Sequence, residues 1–157
     1  MNIFITVGTT PFDTLIRFCD EKLDPALSIT MQISNDASYI PKRFDSFKFT
    51  SDIVSYYQNA DLVITHAGAG TIFSLLEMQK RIIVFPNLDR DDSHQKDLAG
   101  VVEKKKWGLV CWQYQDLPEL IDRAGDFPIV PYERQVFSGG PYIDTLVRKL
   151  YFGMHQK

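Results

Sequence analysis

Short runs of β-branched and apolar residues alternate along this chain with longer segments of helical periodicity, and this alternation limits the possible folds most strongly. The predicted strands span residues 2–7, 28–33, 47–50, 62–65, 81–85 and 108–112. The predicted helices span residues 13–22, 71–79, 94–106, 117–124 and 142–152, and a short one capped by Ser51 or Asp52 reaches Tyr57. Strands joined through helices pair in parallel by right-handed crossovers, which place helices on both faces of the sheet. The pattern therefore predicts a doubly wound, mainly parallel α/β fold.

The composition is that of one soluble domain. The chain has 157 residues, the length of a single globular domain, and 13% of them are aromatic, which argues against disorder. Its 17 lysines and arginines against 20 aspartates and glutamates give a net charge of −3, so we expect no nucleic-acid partner. Cys19 and Cys111 fit neither a disulfide framework nor a zinc site. No apolar run reaches the ~20 residues that cross a bilayer, and no basic segment precedes the apolar amino terminus. Together with the cysteine count, this leads us to expect a cytoplasmic protein.

The most informative loop follows the strand at 62–65 and reads His66-Ala67-Gly68-Ala69-Gly70-Thr71. A turn from a buried strand into a helix presents free backbone N–H groups and the positive end of the helix dipole. Two glycines and two alanines leave room for phosphate, while Thr71 and His66 can donate to it. An ordinary tight turn with a packed histidine is the alternative. A dinucleotide fingerprint is disfavoured, because Phe73 stands at the third glycine position.

Two further loops belong to the same edge of the predicted sheet, since ligands bind beyond the carboxyl ends of its strands. The first contains Gly8, Thr9 and Thr10. The two threonine hydroxyls can contact a phosphate or sugar; the alternative is an ordinary turn. The other spans residues 87–95. It contains a D-x-D sequence suited to a divalent cation, although a solvated acidic loop is the favoured interpretation. It ends in a polar pair expected to face the site, His94 and Gln95.

The three loops, in this order, resemble the carboxyl-terminal half of GT-B glycosyltransferases of the family 28 type, a Rossmann-like unit. The matching stretches are residues 5–13, 60–71 and 92–99. More closely, the chain is similar to the small catalytic subunits of two-subunit, lipid-linked sugar transferases, which act in dolichol-linked glycan and bacterial polysaccharide biosynthesis. The resemblance implies an inverting transfer of a sugar from a UDP-sugar to a polyprenyl-diphosphate-linked acceptor at the cytosolic membrane face.

The resemblance also implies roles for the loop residues. The 66–71 loop would take the diphosphate, with His66 as the candidate catalytic residue, and the 8–10 loop would lie near the phosphates and the acceptor. His94 and Gln95 would meet sugar hydroxyls. Such enzymes need no metal ion on a D-x-D, so none is expected at Asp89 or Asp91.

The chain departs from the family pattern at two points. Many relatives carry a ribose-binding acid where this chain has Ser74, with Glu77 about one helical turn further on. The acceptor domain of a full GT-B enzyme is also missing, so a membrane-anchored subunit is expected to supply the acceptor site, and the general base is not identified in this chain. The helix at about 142–152 is the candidate contact with that subunit.

Two alternatives stay open: a non-catalytic nucleotide- or partner-binding subunit, and a free-standing sugar-nucleotide enzyme such as an epimerase or hydrolase.

Overall fold

One parallel sheet of six strands, in the order β3-β2-β1-β4-β5-β6, organises the computed structural model, which describes residues 1–88 and 94–133. The strands are β1 Asn2–Thr6, β2 Ser28–Gln32, β3 Asp45–Phe47, β4 Leu62–His66, β5 Arg81–Phe85 and β6 Leu109–Val110. The helices are α1 Asp13–Lys22, α2 Ile53–Asn59, α3 Ala69–Glu77, α4 His94–Lys105 and α5 Leu117–Ala124, and a 3-10 turn spans Tyr114–Asp116. All five strand pairings are parallel, which confirms the predicted doubly wound fold.

Helices cover both faces of the sheet because successive strand residues point to opposite sides. Ile3 and Ile5 of β1 join one buried cluster with the apolar residues of α1 and α5. Phe4, between them, joins a second cluster with apolar residues of α2, α3 and α4. β4 and β5 are buried almost throughout and carry apolar residues on both sides, as expected of central parallel strands.

Several boundaries in the structure differ from the predicted ones. The third strand was placed at 47–50, which is wrong: β3 spans Asp45–Phe47, because pairing with β2 fixes its register from Asp45 onward. The helix predicted at 71–79 begins two residues earlier, at Ala69, and His66 belongs to β4. The predicted helix at 142–152 and the residues from 89 to 93, with Asp89 and Asp91, lie outside the described residues. Within 1–88 and 94–133, no helix has the length and apolar character needed to cross a membrane.

The strand register brings the three candidate loops to one edge. Thr6 at the end of β1 pairs with Thr65 of β4, and His66 pairs with Phe85 at the end of β5. The first loop (residues 7–12), the β4–α3 turn (residues 67–68) and the segment after β5 therefore emerge side by side. This is the edge where doubly wound sheets bind ligands.

Candidate functional site

The amino terminus of α3 presents backbone donors that no side chain of the described residues caps. Its N-cap residue, Gly68, makes no side-chain hydrogen bond, and the Ile72 N–H donates to the Gly68 carbonyl at 3.0 Å. The amides of residues 69–71 precede this first helical bond and so have no partner within the helix. With the positive end of the helix dipole, they suit an anion such as a phosphate.

The imidazole of His66 lies between the first loop and the β4–α3 turn. A Cβ atom on Gly8 would lie 3.1 Å from His66 Cε1, and a Cβ atom on Gly68 would lie 2.4 Å from His66 Nε2. Gly8 also adopts φ +62, a conformation that L side chains rarely take. The space at Gly68 was predicted to admit a ligand, whereas the protein's own imidazole occupies it. The missing side chains of the two glycines thus leave room for the histidine at the sheet edge.

The open space predicted for a ligand is found at Gly70 instead. A Cβ atom on Gly70 would meet no other atom within 4 Å, and the residue is exposed in the first turn of α3. Its backbone N–H is one of the uncapped donors described above. An anion can therefore approach the backbone closely at this position.

A cavity of about 610 Å³ lies between the β4–α3 turn and α4, and we call it the α3–α4 cleft. One side consists of Ala67, Gly68 and Ala69. The other side comes from α4 and consists of His94, Gln95, Asp97, Leu98 and Val101. Its volume lies in the range of small-molecule sites, which is roughly 300–1,000 Å³. The fold thus brings two of the three predicted loops together around one cavity.

Gln95 also fixes the backbone that follows β5. Its Oε1 accepts a hydrogen bond from the Asn87 N–H at 3.0 Å. The side-chain oxygen is therefore used within the protein, while the amide nitrogen carries the two donors that can serve a ligand. His94 precedes it and is exposed at the start of α4.

Thr71 connects α3 with α2. Burial raises the pKa of Tyr57, and the nearby Thr71 side chain partly offsets the rise. The hydroxyl predicted to meet a phosphate thus lies beside a buried tyrosine. The Thr71 N–H is still among the uncapped donors.

The other predicted residues lie outside the cleft lining. In the first loop, Thr9 is exposed and Thr10 is half-buried. Ser74 is exposed on α3, one turn beyond Gly70. Asp97 also lines the cleft and was not predicted from the sequence. The available signal was its spacing, since Asp97 follows His94 by three residues in α4, which places the two on one face of the helix.

A second cavity of about 600 Å³ lies beside α2. Its lining includes Asn2 and Ser28, the first residues of β1 and β2, and it therefore extends toward the amino ends of the strands. The helix next to it has a capped amino terminus, because Asp52 Oδ1 accepts from the Ser55 N–H. The α3–α4 cleft is the better candidate, since it combines the carboxyl edge with free donors. Residues 1–88 and 94–133 contain no group of three or more metal-ligating side chains.

The uncapped helix lies at the carboxyl edge of a doubly wound parallel sheet, where such folds bind ligands. Solved structures that share the fold include glycosyltransferases. The NMR solution structure of ALG13 matches with a TM-score of 0.60 and 20% identity, over 96% of each chain. The crystal structure of Acinetobacter baumannii MurG matches with a TM-score of 0.57 and 22% identity, over 77% of this chain and 40% of that one. At these identities, the likeness establishes the fold.

The chain belongs to glycosyltransferase family 28, because the profile of the family's C-terminal domain matches residues 2–126. Among similar proteins, the UDP-N-acetylglucosamine transferase subunit ALG13 of Homo sapiens is 36% identical over 69% of this chain and 11% of its own length. The UDP-N-acetylglucosamine--N-acetylmuramyl-(pentapeptide) pyrophosphoryl-undecaprenol N-acetylglucosamine transferase of Prochlorococcus marinus (strain MIT 9215) is 40% identical over 59% of this chain and 24% of its own. The matched region is thus a minor part of both relatives.

Proposed function

We propose that this domain binds the UDP-sugar donor of an inverting glycosyltransferase, which passes the sugar to a polyprenyl-diphosphate-linked acceptor in polysaccharide or glycan biosynthesis. The observation that carries the proposal is the uncapped amino terminus of α3, which lies against the α3–α4 cleft and beside His66. Family membership and the names of the relatives support the reaction class.

The uncapped amides would stabilise the leaving group. In the reaction, an acceptor hydroxyl oxygen attacks the anomeric carbon, the bond from that carbon to the β-phosphate oxygen breaks, and UDP leaves with the bonding electrons. Negative charge therefore grows on the diphosphate. The N–H groups of residues 69–71 are fixed by the helix before reaction, which is what electrostatic stabilisation of a transition state requires.

His66 would act at the same diphosphate or at a reacting oxygen. Its ring lies next to both Gly8 and Gly68, so its position is determined by two loops. The first loop, with Thr9 and Thr10, would lie near the phosphates and the acceptor. On the other side of the cleft, three polar side chains of α4 would orient the sugar through its hydroxyls: His94, Gln95 and Asp97.

The acceptor site and the general base would come from a membrane-anchored partner subunit, and the complex would lie at the cytoplasmic face of the membrane. The support for a partner is that the matched family model describes a C-terminal domain. The helix predicted at 142–152, outside the described residues, remains our candidate for the partner contact.

The donor to test first is UDP-N-acetylglucosamine, because the relatives are named as transferases of that sugar.

We propose that no metal ion takes part at Asp89 or Asp91. Transfer is then expected to continue in excess EDTA, and its loss on chelation with recovery on adding Mg²⁺ would contradict this point.

A labelled UDP-sugar panel, incubated with this chain and membranes that hold its partner, tests the function. We expect label to enter the lipid fraction, and we expect His66→Ala, His94→Ala and Gln95→Ala to reduce transfer at least tenfold. Full activity of all three variants in the complex would instead indicate a non-catalytic subunit. Turnover of the UDP-sugar by the purified chain alone would indicate a free-standing enzyme.

A further inference from the structure

The left-handed conformation of Gly8 is held by a two-step hydrogen-bond relay. The Gly8 N–H donates to Thr6 Oγ1 at 3.2 Å, and the Thr6 hydroxyl donates to Gln32 Oε1 at 2.6 Å. Thr6 is fully buried at the end of β1, and Gln32 ends the neighbouring β2. A hydroxyl that accepts and donates at once polarises both bonds, so the relay is stronger than two separate contacts.

A second buried hydroxyl fastens the next residue of the first loop. Ser34 Oγ donates to the Thr9 carbonyl at 2.8 Å, and Ser34 is fully buried just beyond β2. The Val7 N–H also donates to the Gln32 carbonyl, at 3.4 Å. The end of β2 thus holds the first loop through its backbone and two side chains, although no residue of β2 lines the α3–α4 cleft.

The neighbouring threonine gives a natural comparison. Thr65 pairs with Thr6 in register on β4 and is equally buried. No hydrogen-bond partner for its Oγ1 is found among the described residues. Burial of a hydroxyl at this edge therefore does not by itself produce a relay; the relay depends on Gln32.

We infer that Thr6 and Gln32 are positioning residues of the donor site, which act by holding Gly8 against the His66 imidazole. The relay fixes the backbone of Gly8. This backbone lies close to the imidazole, because a Cβ atom on Gly8 would be only 3.1 Å from His66 Cε1. A small shift of Gly8 would therefore bring it into contact with the ring. It sets the loop before a ligand arrives and lowers the ordering cost of binding. This inference rests on the proposed function.

The test compares Thr6→Val, which removes the hydroxyl at constant shape, with Thr6→Ser, which keeps it. Thr65→Val is the matched control on the adjacent strand. We expect Thr6→Val to weaken UDP binding about tenfold by calorimetry, as loss of one well-placed hydrogen bond implies, and to shift the ring resonances of His66 in the ligand-free protein. Thr6→Ser is expected to restore both, while Thr65→Val changes affinity less than twofold.

Gln32→Leu removes the acceptor end of the relay and provides a second route if Thr6→Val does not fold. It should displace the same His66 resonances and weaken UDP binding to a similar degree. Unchanged His66 resonances and unchanged affinity in a folded Thr6→Val or Gln32→Leu protein would overturn the inference. Failure of the wild-type protein to bind UDP, with the His66 shifts still present, would instead count against the proposed function and leave the relay established.

Discussion

The amino termini of α2 and α3 differ in how they are capped. Asp52 caps α2: its Oδ1 accepts from the Ser55 N–H at 3.3 Å, and its Oδ2 accepts from the Ser55 hydroxyl at 2.6 Å. The N-cap residue of α3 is Gly68, which has no side chain to place there. One helix therefore carries its own carboxylate at the positive end of its dipole, whereas we propose that an external anion takes that place at the other.

The difference lies in the N-cap residues and not in helix geometry. Both helices begin with amides that have no partner within the helix. At α2 the Asp52 side chain satisfies one of them, and at α3 no side chain of the described residues does so. At α3, the missing side chain also makes room for His66. The same glycine thus exposes donors and admits a ring that can assist them.

The largest effect is expected from Gly68→Ala. The φ of −83 at Gly68 suits any residue, so the cost is steric: the new Cβ would lie 2.4 Å from His66 Nε2 and force the ring away. We predict a loss of UDP affinity of about 100-fold by calorimetry, in line with the cost of a small misplacement in a site. In a His66→Ala background, the same substitution should add little, because the clash is gone. Additive losses would show that ring displacement is not the cause.

Gly70→Ala should have a smaller effect and separates stability from binding. The Cβ meets nothing in the ligand-free protein, and alanine is the better helix former, so we predict a gain of roughly 0.5 kcal/mol in unfolding free energy. UDP affinity should nevertheless fall about tenfold, because the methyl group occupies the approach to the amides. Thermal denaturation and calorimetry on one preparation measure both quantities. Undiminished affinity would mean that the phosphates do not lie over this turn.

Asp52→Ala should have the smallest effect on the site. It tests the opposite case to Gly70→Ala, because it should lower stability and leave UDP affinity unchanged. Loss of the cap is predicted to cost about 1 kcal/mol of stability, measured by urea denaturation. UDP affinity should stay within twofold of wild type, since this helix end is structural. A marked loss of affinity would place the two helix termini in one site and remove the contrast between them.

The fold was predictable from the sequence where apolar periodicity is strong. The helix from Asp13 to Lys22, the strand from Arg81 to Phe85 and the helix from Leu117 to Ala124 have the predicted bounds. The position of β3 was not predictable, because this three-residue edge strand depends on pairing with β2 and not on its own sequence pattern.

The candidate site was predictable as a set of loops and not as a set of contacts. The glycine-rich turn could be recognised because it follows a buried strand and opens a helix. The contact of His66 with Gly8 depends on the register between β1 and β4, which no local motif encodes. The proximity of Thr71 to Tyr57 likewise involves two helices and could not be predicted from either segment alone.

Titration of ¹⁵N-labelled protein with UDP, followed through its backbone amides, tests the central claim most directly. We predict that the largest shifts fall on residues 69–71 and that the amides of residues 53–55, at the capped start of α2, hardly move. Uridine, which lacks the phosphates, should leave residues 69–71 nearly unchanged at equal occupancy. Saturable UDP binding that shifts the residues around the cavity beside α2, while the first turn of α3 stays unaffected, would contradict the assignment.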